Sequence, residues 1–102
     1  MAIHHGGAGT THAFVRAGIP SVIMPFLGDQ PWWATRLARL GLGPKPLSRH
    51  TTSPAVIASA LAEALDCQER INVVSGQMSH EDGCAIALQA IQALWLDHHQ
   101  AA

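Results

Sequence analysis

The residues best suited to chemistry lie in a glycine-rich run near the start of the chain, from His5 to Thr11. If a strand ends at His5 and a helix follows, free backbone N–H groups surround a concavity at the positive end of that helix, which suits phosphate. Glycines let a ligand approach the backbone closely and permit positive φ angles. Hydroxyl groups and an imidazole N–H can also donate to phosphate oxygens. The predicted phosphate ligands are His5, Gly7, Gly9, Thr10 and Thr11.

A structural interpretation of the same run is also open, in which it is a tight turn with Thr10 as the helix N-cap. The presence of His5 tilts the choice modestly towards phosphate. The run is not a Walker motif, because it lacks the Gly-Lys pair, and it lacks the third glycine of a dinucleotide-binding motif. The sequence therefore predicts neither ATP hydrolysis nor NAD binding.

A second candidate element, Asp29-Gln30, follows the second predicted strand. Ligands of open α/β sheets bind beyond the carboxyl ends of the strands, so this pair and the glycine-rich run are expected to face one crevice. A carboxylate beside an amide can bond to neighbouring sugar hydroxyls. The alternative is that Asp29 only caps a helix. Trp32 and Trp33 are either core residues or, for one of them, part of the sugar pocket.

The chain contains seven histidines, which raises the question of a metal site. His4 and His5 are adjacent on a strand and point to opposite faces, and no histidine pair has the helical i, i+4 spacing with a glutamate between. We expect no metal ion, no cofactor and no catalytic residue. His12, His50 and His80 are interpreted as solvated or capping side chains.

The elements that position these residues follow from periodicity and from glycine and proline. A strand at 2–4, a helix at 10–17 closed by Gly18 and a doubly buried strand at 21–24 form a right-handed βαβ unit. A further helix, capped by Asp29 or Gln30, runs to about Leu40. Buried parallel strands normally belong to larger sheets, so the predicted fold class is α/β: a partial doubly wound parallel sheet with several C-terminal helices.

Three helices are predicted in the second half. Ser53-Pro54 begins the first, whose inward face is expected to carry Ile57, Leu61 and Leu65. The second covers about 68–78. Ser79 and Asp82 form a start resembling a capping box for the last helix. The residues expected to line its buried face are Cys84, Leu88, Ile91 and Trp95. The predicted domain covers 1–97, and 98–102 form a frayed tail.

Composition narrows the class of protein. Among 102 residues, 48% are hydrophobic and 13% charged, which predicts one folded domain or part of one, with much surface intended for burial. Residues 1–50 hold five cations and one acid, a balance of +4, and the remainder balances at −5, which together give the net charge of −1. An anionic ligand is therefore expected at the first half. No basic stripe indicates nucleic acid, and no apolar run is long enough to span a bilayer.

The start of the chain and its two cysteines predict the localisation and the redox state. No signal peptide is visible at the start, so the expected location is the cytoplasm. Cys67 and Cys84 are expected to be free thiols without a function. The first strand's outer edge is expected to be unpaired, which would favour self-association.

The sequence as a whole resembles the donor signature of family 1 glycosyltransferases with the GT-B fold, in their sterol-glucosyltransferase-like and glycopeptide-glucosyltransferase-like branch. The similarity rests on segments 3–11, 18–20 and 25–31, supported by 40–44 and 81–83, and it covers essentially the whole chain. The resemblance implies that the chain is the C-terminal part of a Rossmann-like donor domain. Plant-type relatives carry a ribose-binding glutamate where this chain has Ala13, which leaves the nucleotide open.

The resemblance also implies roles for the candidate residues. His5, Gly7, Gly9 and Thr10 would bind the donor diphosphate, and Asp29 with Gln30 would hold hydroxyls of the transferred sugar. The family's reaction is metal-independent transfer with inversion from a UDP- or dTDP-sugar to a lipid, sterol or natural-product hydroxyl. The acceptor-binding domain with its histidine base is absent here, so we expect the isolated chain to be inactive. The alternatives are a non-catalytic module for nucleotide sugars or phosphate, or a truncated-gene remnant.

Overall fold

The structure is a computed structural model and describes residues 1–100. It contains two strands and five helices within that range. In chain order they are β1 (Ala2–His4), α1 (Ala8–Arg16), β2 (Ser21–Ile23), α2 (Gln30–Arg39), α3 (Pro54–Asp66), α4 (Gln68–Met78) and α5 (Gly83–Gln100).

The two strands form a parallel pair joined by α1, which confirms the predicted βαβ unit and the α/β class. Ala2 pairs with Ser21, and His4 pairs with Ile23. α1 begins two residues earlier than predicted, at Ala8, because Gly7 occupies the N-cap position with an extended ψ of 147°. All three residues of β2 are buried, as expected for a parallel strand that is covered on both faces.

The chain has two hydrophobic clusters, one on each side of the sheet, and adjacent residues of β2 belong to different clusters. Ile23 packs with buried residues of α1, α2 and α4. Val22 packs with Leu47 and with the α3 residues Ala60 and Ala64. Successive side chains of a strand point to opposite faces, so helices cover both faces of even this small sheet. This is the doubly wound arrangement expected from the sequence.

The inward face of α3 differs from the prediction at Leu65, which is 54% exposed. Ala60 and Ala64 are buried instead, with Ile57 and Leu61 partly buried beside them. The helix therefore packs against β2 through small side chains and lies close to the strand. The four-residue spacing of the large side chains identified the correct half of the helix surface but not its centre.

The predicted buried face of α5 is wrong, because Cys84, Leu88, Ile91 and Trp95 are all exposed. The predicted start is correct in part. The Oδ1 atom of Asp82 accepts a hydrogen bond from the Ala85 N–H at 3.0 Å, whereas the Ser79 hydroxyl donates to the Gly76 carbonyl of α4. α5 extends away from the rest of the chain, which explains both the exposure and the maximum dimension of 66 Å.

Three further predictions concern the C-terminal tail, the cysteines and membrane-spanning segments. α5 continues to Gln100, so His98, His99 and Gln100 are helical where a frayed tail had been predicted. Residues 101 and 102 of that tail lie outside the described residues. Cys67 and Cys84 are free thiols. None of the helices described in residues 1–100 has the length and apolar character needed to cross a membrane.

Candidate functional site

The glycine turn between β1 and α1, residues 5–7, contains one position that requires glycine. Gly6 has a φ of +90°, and a β-carbon there would lie 2.7 Å from Cγ2 of Ile23 and 3.3 Å from the carbonyl oxygen of Gln30. The turn is therefore pressed against the end of β2 and the start of α2. This contact brings the glycine-rich run and Gln30 together, as the position of both beyond the strand ends had predicted.

Two histidine rings occupy the first amide groups of the glycine turn. The N–H of Gly6 donates to Nδ1 of His4 at 3.0 Å, and the N–H of Gly7 donates to Nδ1 of His5 at 3.3 Å. These two amides already have a partner, so a phosphate bound by the Gly7 N–H would have to displace the His5 ring. A neutral His5 ring whose Nδ1 accepts carries its proton on Nε2. His5 is exposed, so this second nitrogen is available as a donor.

The unpaired donors of the turn come from the residues that follow. Within residues 1–100, the N–H groups of Ala8, Gly9 and Thr10 have no hydrogen-bond partner, and the first internal bond of α1 runs from the Thr11 N–H to the Gly7 carbonyl. These amides lie at the positive end of the helix. A β-carbon at Gly9 would meet no atom within 4 Å, so protein packing does not require glycine there. The space beside Gly9 is open to a ligand.

The two threonines after the turn have different environments. Thr11 is only 2% exposed, and its buried Oγ1 has no hydrogen-bond partner among residues 1–100. Thr10 is partly exposed. The hypothesis that Thr10 is the N-cap is wrong, since Gly7 holds that position and no side chain caps α1. Thr10 is therefore the hydroxyl of the pair that can reach a ligand from the surface, while Thr11 lies beneath the turn.

His4 was not singled out from the sequence, yet it supports the turn from below. Its ring stacks on Phe14 of α1 with centroids 5.1 Å apart while Nδ1 holds the Gly6 amide. Burial, and secondarily the neighbouring His5, lowers the pKa of His4 below its ordinary value. The neutral ring is the form that accepts a hydrogen bond at Nδ1. No signal in the sequence indicates this role of His4.

Asp29 and Gln30 follow the end of β2, but neither side chain caps α2. The Oδ2 atom of Asp29 accepts a hydrogen bond from the Trp33 indole N–H at 3.0 Å. The Oε1 atom of Gln30 accepts from the backbone N–H groups of Phe26 at 2.9 Å and Leu27 at 3.2 Å. Asp29 thus occupies the N-cap position of α2, as the capping interpretation expected, but its side chain makes no cap hydrogen bond. Asp29 retains a free carboxylate oxygen, and Gln30 retains its amide NH₂ group as a donor.

The two tryptophans of α2 do not belong to the buried core, which was one of the two alternatives predicted from the sequence. Trp32 is 60% exposed, and Trp33 is partly buried. The rings of Trp32 and Trp33 meet edge to face at 4.8 Å, and His12 of α1 meets Trp33 in the same way at 5.0 Å. Both tryptophans thus lie beside the loop that carries Asp29.

The comparisons with known proteins agree with this arrangement of a βαβ unit and a glycine turn. Residues 1–91 match the family described as Erythromycin biosynthesis protein CIII-like, C-terminal domain. That match covers 91 of 102 residues, and the chain therefore belongs to this family of glycosyltransferase C-terminal domains.

Individual relatives point to the same family. The chain is 42% identical over 92 residues to a sterol 3-beta-glucosyltransferase of Candida albicans and 45% identical over 93 residues to that of Cryptococcus neoformans, covering 88% of this chain and 6% of each relative. It is 39% identical over 92 residues to the vancomycin aglycone glucosyltransferase of Amycolatopsis orientalis, covering 87% of this chain and 22% of that protein. The chain thus spans a small part of the length of these relatives.

Proposed function

We propose that this chain binds the nucleotide-diphosphate sugar of an inverting glycosyltransferase that transfers a hexosyl group to a lipid, sterol or natural-product hydroxyl. The observation that supports this most directly is the contact of the glycine turn with Gln30 through Gly6. This contact supports the proposal that the amides after the turn, which suit phosphate, and the polar side chains at the start of α2, which suit sugar hydroxyls, serve one ligand. The names of the relatives, all glucosyltransferases, favour glucose as the hexose.

In the phosphate half of the site, the ligands are the N–H groups of Ala8, Gly9 and Thr10 together with Nε2 of His5. As the bond to the sugar breaks, negative charge accumulates on the leaving diphosphate. Fixed amides at a helix N-terminus stabilise that charge without reorganising, which is the electrostatic contribution to catalysis. We propose that these donors replace a metal ion in this role.

In the sugar half of the site, Asp29 and Gln30 bind hydroxyls of the transferred hexose. The free Oδ1 of Asp29 accepts, and the NH₂ group of Gln30 donates, because the Gln30 oxygen is occupied by the loop backbone. A carbohydrate hydroxyl both donates and accepts, so an acceptor beside a donor suits adjacent hydroxyls. The acceptor alcohol and its general base belong to a further domain of the enzyme, and we expect residues 1–102 alone to bind donor without transferring sugar.

The first prediction separates the two halves by titration calorimetry with UDP, UDP-glucose, dTDP and dTDP-glucose. His5→Ala is expected to weaken the free diphosphate and the sugar nucleotide alike, by about 0.5–1.5 kcal/mol for a neutral donor. Asp29→Ala is expected to weaken only the sugar nucleotide, by about 1.5–3 kcal/mol, because the free diphosphate does not reach the carboxylate. His98→Ala and Asp97→Ala are matched controls, since both residues are exposed and belong to α5.

Three results would contradict parts of the proposal. An unchanged ratio of the two affinities in Asp29→Ala would remove Asp29 from sugar binding. Failure of the unmodified chain to bind any of the four nucleotides, in a sample whose melting curve shows that it is folded, would overturn donor binding itself. Acceptor-dependent glycoside formation by the purified chain would contradict the expected inactivity.

A further inference from the structure

The Asp29 carboxylate is held by a single side chain, the indole of Trp33. The indole N–H donates to Oδ2 at 3.0 Å, and no other hydrogen bond reaches that carboxylate within residues 1–100. The two residues are four apart, across the first turn of α2, where side chains at this spacing face each other. Trp33 therefore selects one orientation of the carboxylate and leaves Oδ1 facing away from the indole.

The Trp33 ring is itself fixed from two sides. Trp32 meets it edge to face, with ring centroids 4.8 Å apart and an interplanar angle of 88°. His12 meets it at 5.0 Å and 71° from the neighbouring helix α1. Edge-to-face pairs of this kind have a preferred geometry and stabilise it. An indole with two ring neighbours is restrained in a way that an exposed aspartate is not.

His12 connects this arrangement to the glycine turn. Its Nδ1 lies 2.8 Å from the carbonyl oxygen of Ala8. A carbonyl oxygen only accepts, so Nδ1 is the donor, and this bond sets the orientation of the ring. Ala8 is the first residue of α1, and its N–H is one of the unpaired amides. A series of direct contacts thus joins the start of α1 to the Asp29 carboxylate through His12 and Trp33.

We propose that Trp33 is a positioning residue for sugar recognition, because its indole N–H orients the Asp29 carboxylate towards hydroxyls of the transferred hexose. In this role His12 packs against the indole and fixes its position relative to the phosphate-binding turn. This inference rests on the proposed function of Asp29. Trp33 itself does not touch the donor in this role. Its effect is to keep the carboxylate in the binding-competent orientation before the sugar arrives.

The size of the effect follows from rotamer populations. A side chain released from a restraint distributes over three staggered χ1 wells. If one well is competent, the competent fraction falls to about a third, and the apparent dissociation constant rises about threefold. We therefore expect Trp33→Phe to weaken UDP-glucose about threefold and to leave UDP unchanged. The phenyl ring keeps the contact with His12 while removing the donor.

The experiment compares the unmodified chain with Trp33→Phe, Asp29→Ala, the double variant and Trp95→Phe. Trp95 is an exposed tryptophan of α5 and controls for the general loss of an indole. Titrations with UDP and UDP-glucose supply the affinity ratio, and melting curves report stability. The double variant is expected to match Asp29→Ala alone, because Trp33 acts through that carboxylate.

A second measurement needs no ligand. The chain has three tryptophans, so its ¹⁵N–¹H spectrum contains three indole signals, and single Trp→Phe variants assign them. Asp29→Ala is expected to shift the Trp33 indole signal and to leave that of Trp95 in place. An unmoved Trp33 signal would overturn the hydrogen bond and the inference with it.

The outcomes separate this inference from the function on which it rests. If Asp29→Ala lowers the preference for the sugar nucleotide but Trp33→Phe leaves that preference intact, the positioning role is wrong and the proposed function stands. If Trp33→Phe weakens UDP and UDP-glucose equally while lowering the melting temperature, its role is only structural. If Asp29→Ala leaves the preference unchanged, the proposed sugar site is wrong, and the role of Trp33 is wrong with it.

Discussion

The two halves of the proposed site are built differently. The glycine turn uses backbone donors and is packed into the body, with Gly6 against Ile23 and the start of α2. The sugar half is an exposed loop after β2, in which Leu27 is 70% exposed. Two hydrogen bonds to the Gln30 side chain and one from Trp33 to Asp29 hold its groups in place.

This difference matches what each half has to recognise. A diphosphate is common to all nucleoside-diphosphate sugars, and backbone amides bind it without depending on the identity of most side chains. The transferred sugar differs between donors, and side chains on an exposed loop can be exchanged at little cost to the core. The comparison predicts that changes in the turn affect folding, whereas changes in the loop affect selectivity.

The largest expected effect tests this comparison with the same substitution in each half. Gly6→Ala introduces a β-carbon at a φ of +90° and 2.7 Å from a buried Ile23 methyl group, for an expected loss of about 2–5 kcal/mol in the free energy of unfolding. Gly28→Ala also meets a positive φ, of +64°, but no atom lies within 4 Å. It is expected to cost about 1–2 kcal/mol.

Urea unfolding followed by circular dichroism measures both losses. Two variants of equal stability would show that the turn is no more constrained than the loop, and the comparison would fail. The affinity for UDP is then measured for each variant that remains folded. Gly28→Ala is expected to retain UDP binding.

A smaller and opposite effect is expected at Gly9, where the space for a β-carbon is empty. Gly9→Ala should raise the free energy of unfolding by about 0.5–1 kcal/mol, because alanine favours a helix. It should also weaken UDP, since the new methyl group occupies space that we assign to the diphosphate. Gly76→Ala is the matched control: Gly76 lies in α4, also with nothing within 4 Å, and this variant should gain stability without any change in UDP affinity. Unchanged UDP affinity in Gly9→Ala would separate Gly9 from the phosphate site.

The smallest expected effect is the pH dependence contributed by His4. Burial lowers the pKa of His4, so between that value and the ordinary value of about 6.5 the unfolded chain binds more protons than the folded one. The contribution is complete above pH 6.5 and is lost as the pH falls through this window. The melting temperature is expected to drop between pH 7.5 and pH 5.0, and to drop less in His4→Asn, which can still accept from the Gly6 amide.

His80→Asn serves as the control for this measurement, because His80 is exposed and distant in sequence from the turn. It should retain the pH dependence of the unmodified chain. Equal pH dependence in His4→Asn and in the unmodified chain would show that His4 does not stabilise the turn in its neutral form.

The parts of the fold that depend on local sequence signals could be predicted. The βαβ unit, the helix that begins at Ser53-Pro54 and the helix over about 68–78 were predicted from such signals, and all three are confirmed. The glycine turn and Gln30 were also correctly expected to lie together, since both follow the ends of parallel strands.

The parts of the structure that depend on side-chain geometry could not be predicted from the sequence. Nothing in the spacing of the residues indicates that the rings of His4 and His5 occupy the amides of Gly6 and Gly7, or that Trp33 takes the carboxylate expected to cap α2. The prediction of a buried face on α5 was wrong for another reason. Periodicity identifies an apolar stripe but does not say what covers it, and the described residues place nothing against Leu88 or Ile91.

The segment between α2 and α3 has a consequence for assembly. Leu47 donates its N–H to the Ile23 carbonyl, and a β-carbon at Gly43 would lie 3.0 Å from the Ser21 carbonyl, so 43–47 runs beside β2. Pro44 and Pro46 lack N–H groups and make this side of the sheet a poor template for another strand. Within residues 1–100, the open edge is therefore that of β1. If two copies paired through β1, each would use its open edge, and strand pairing would close at a two-fold dimer rather than extend into a fibre.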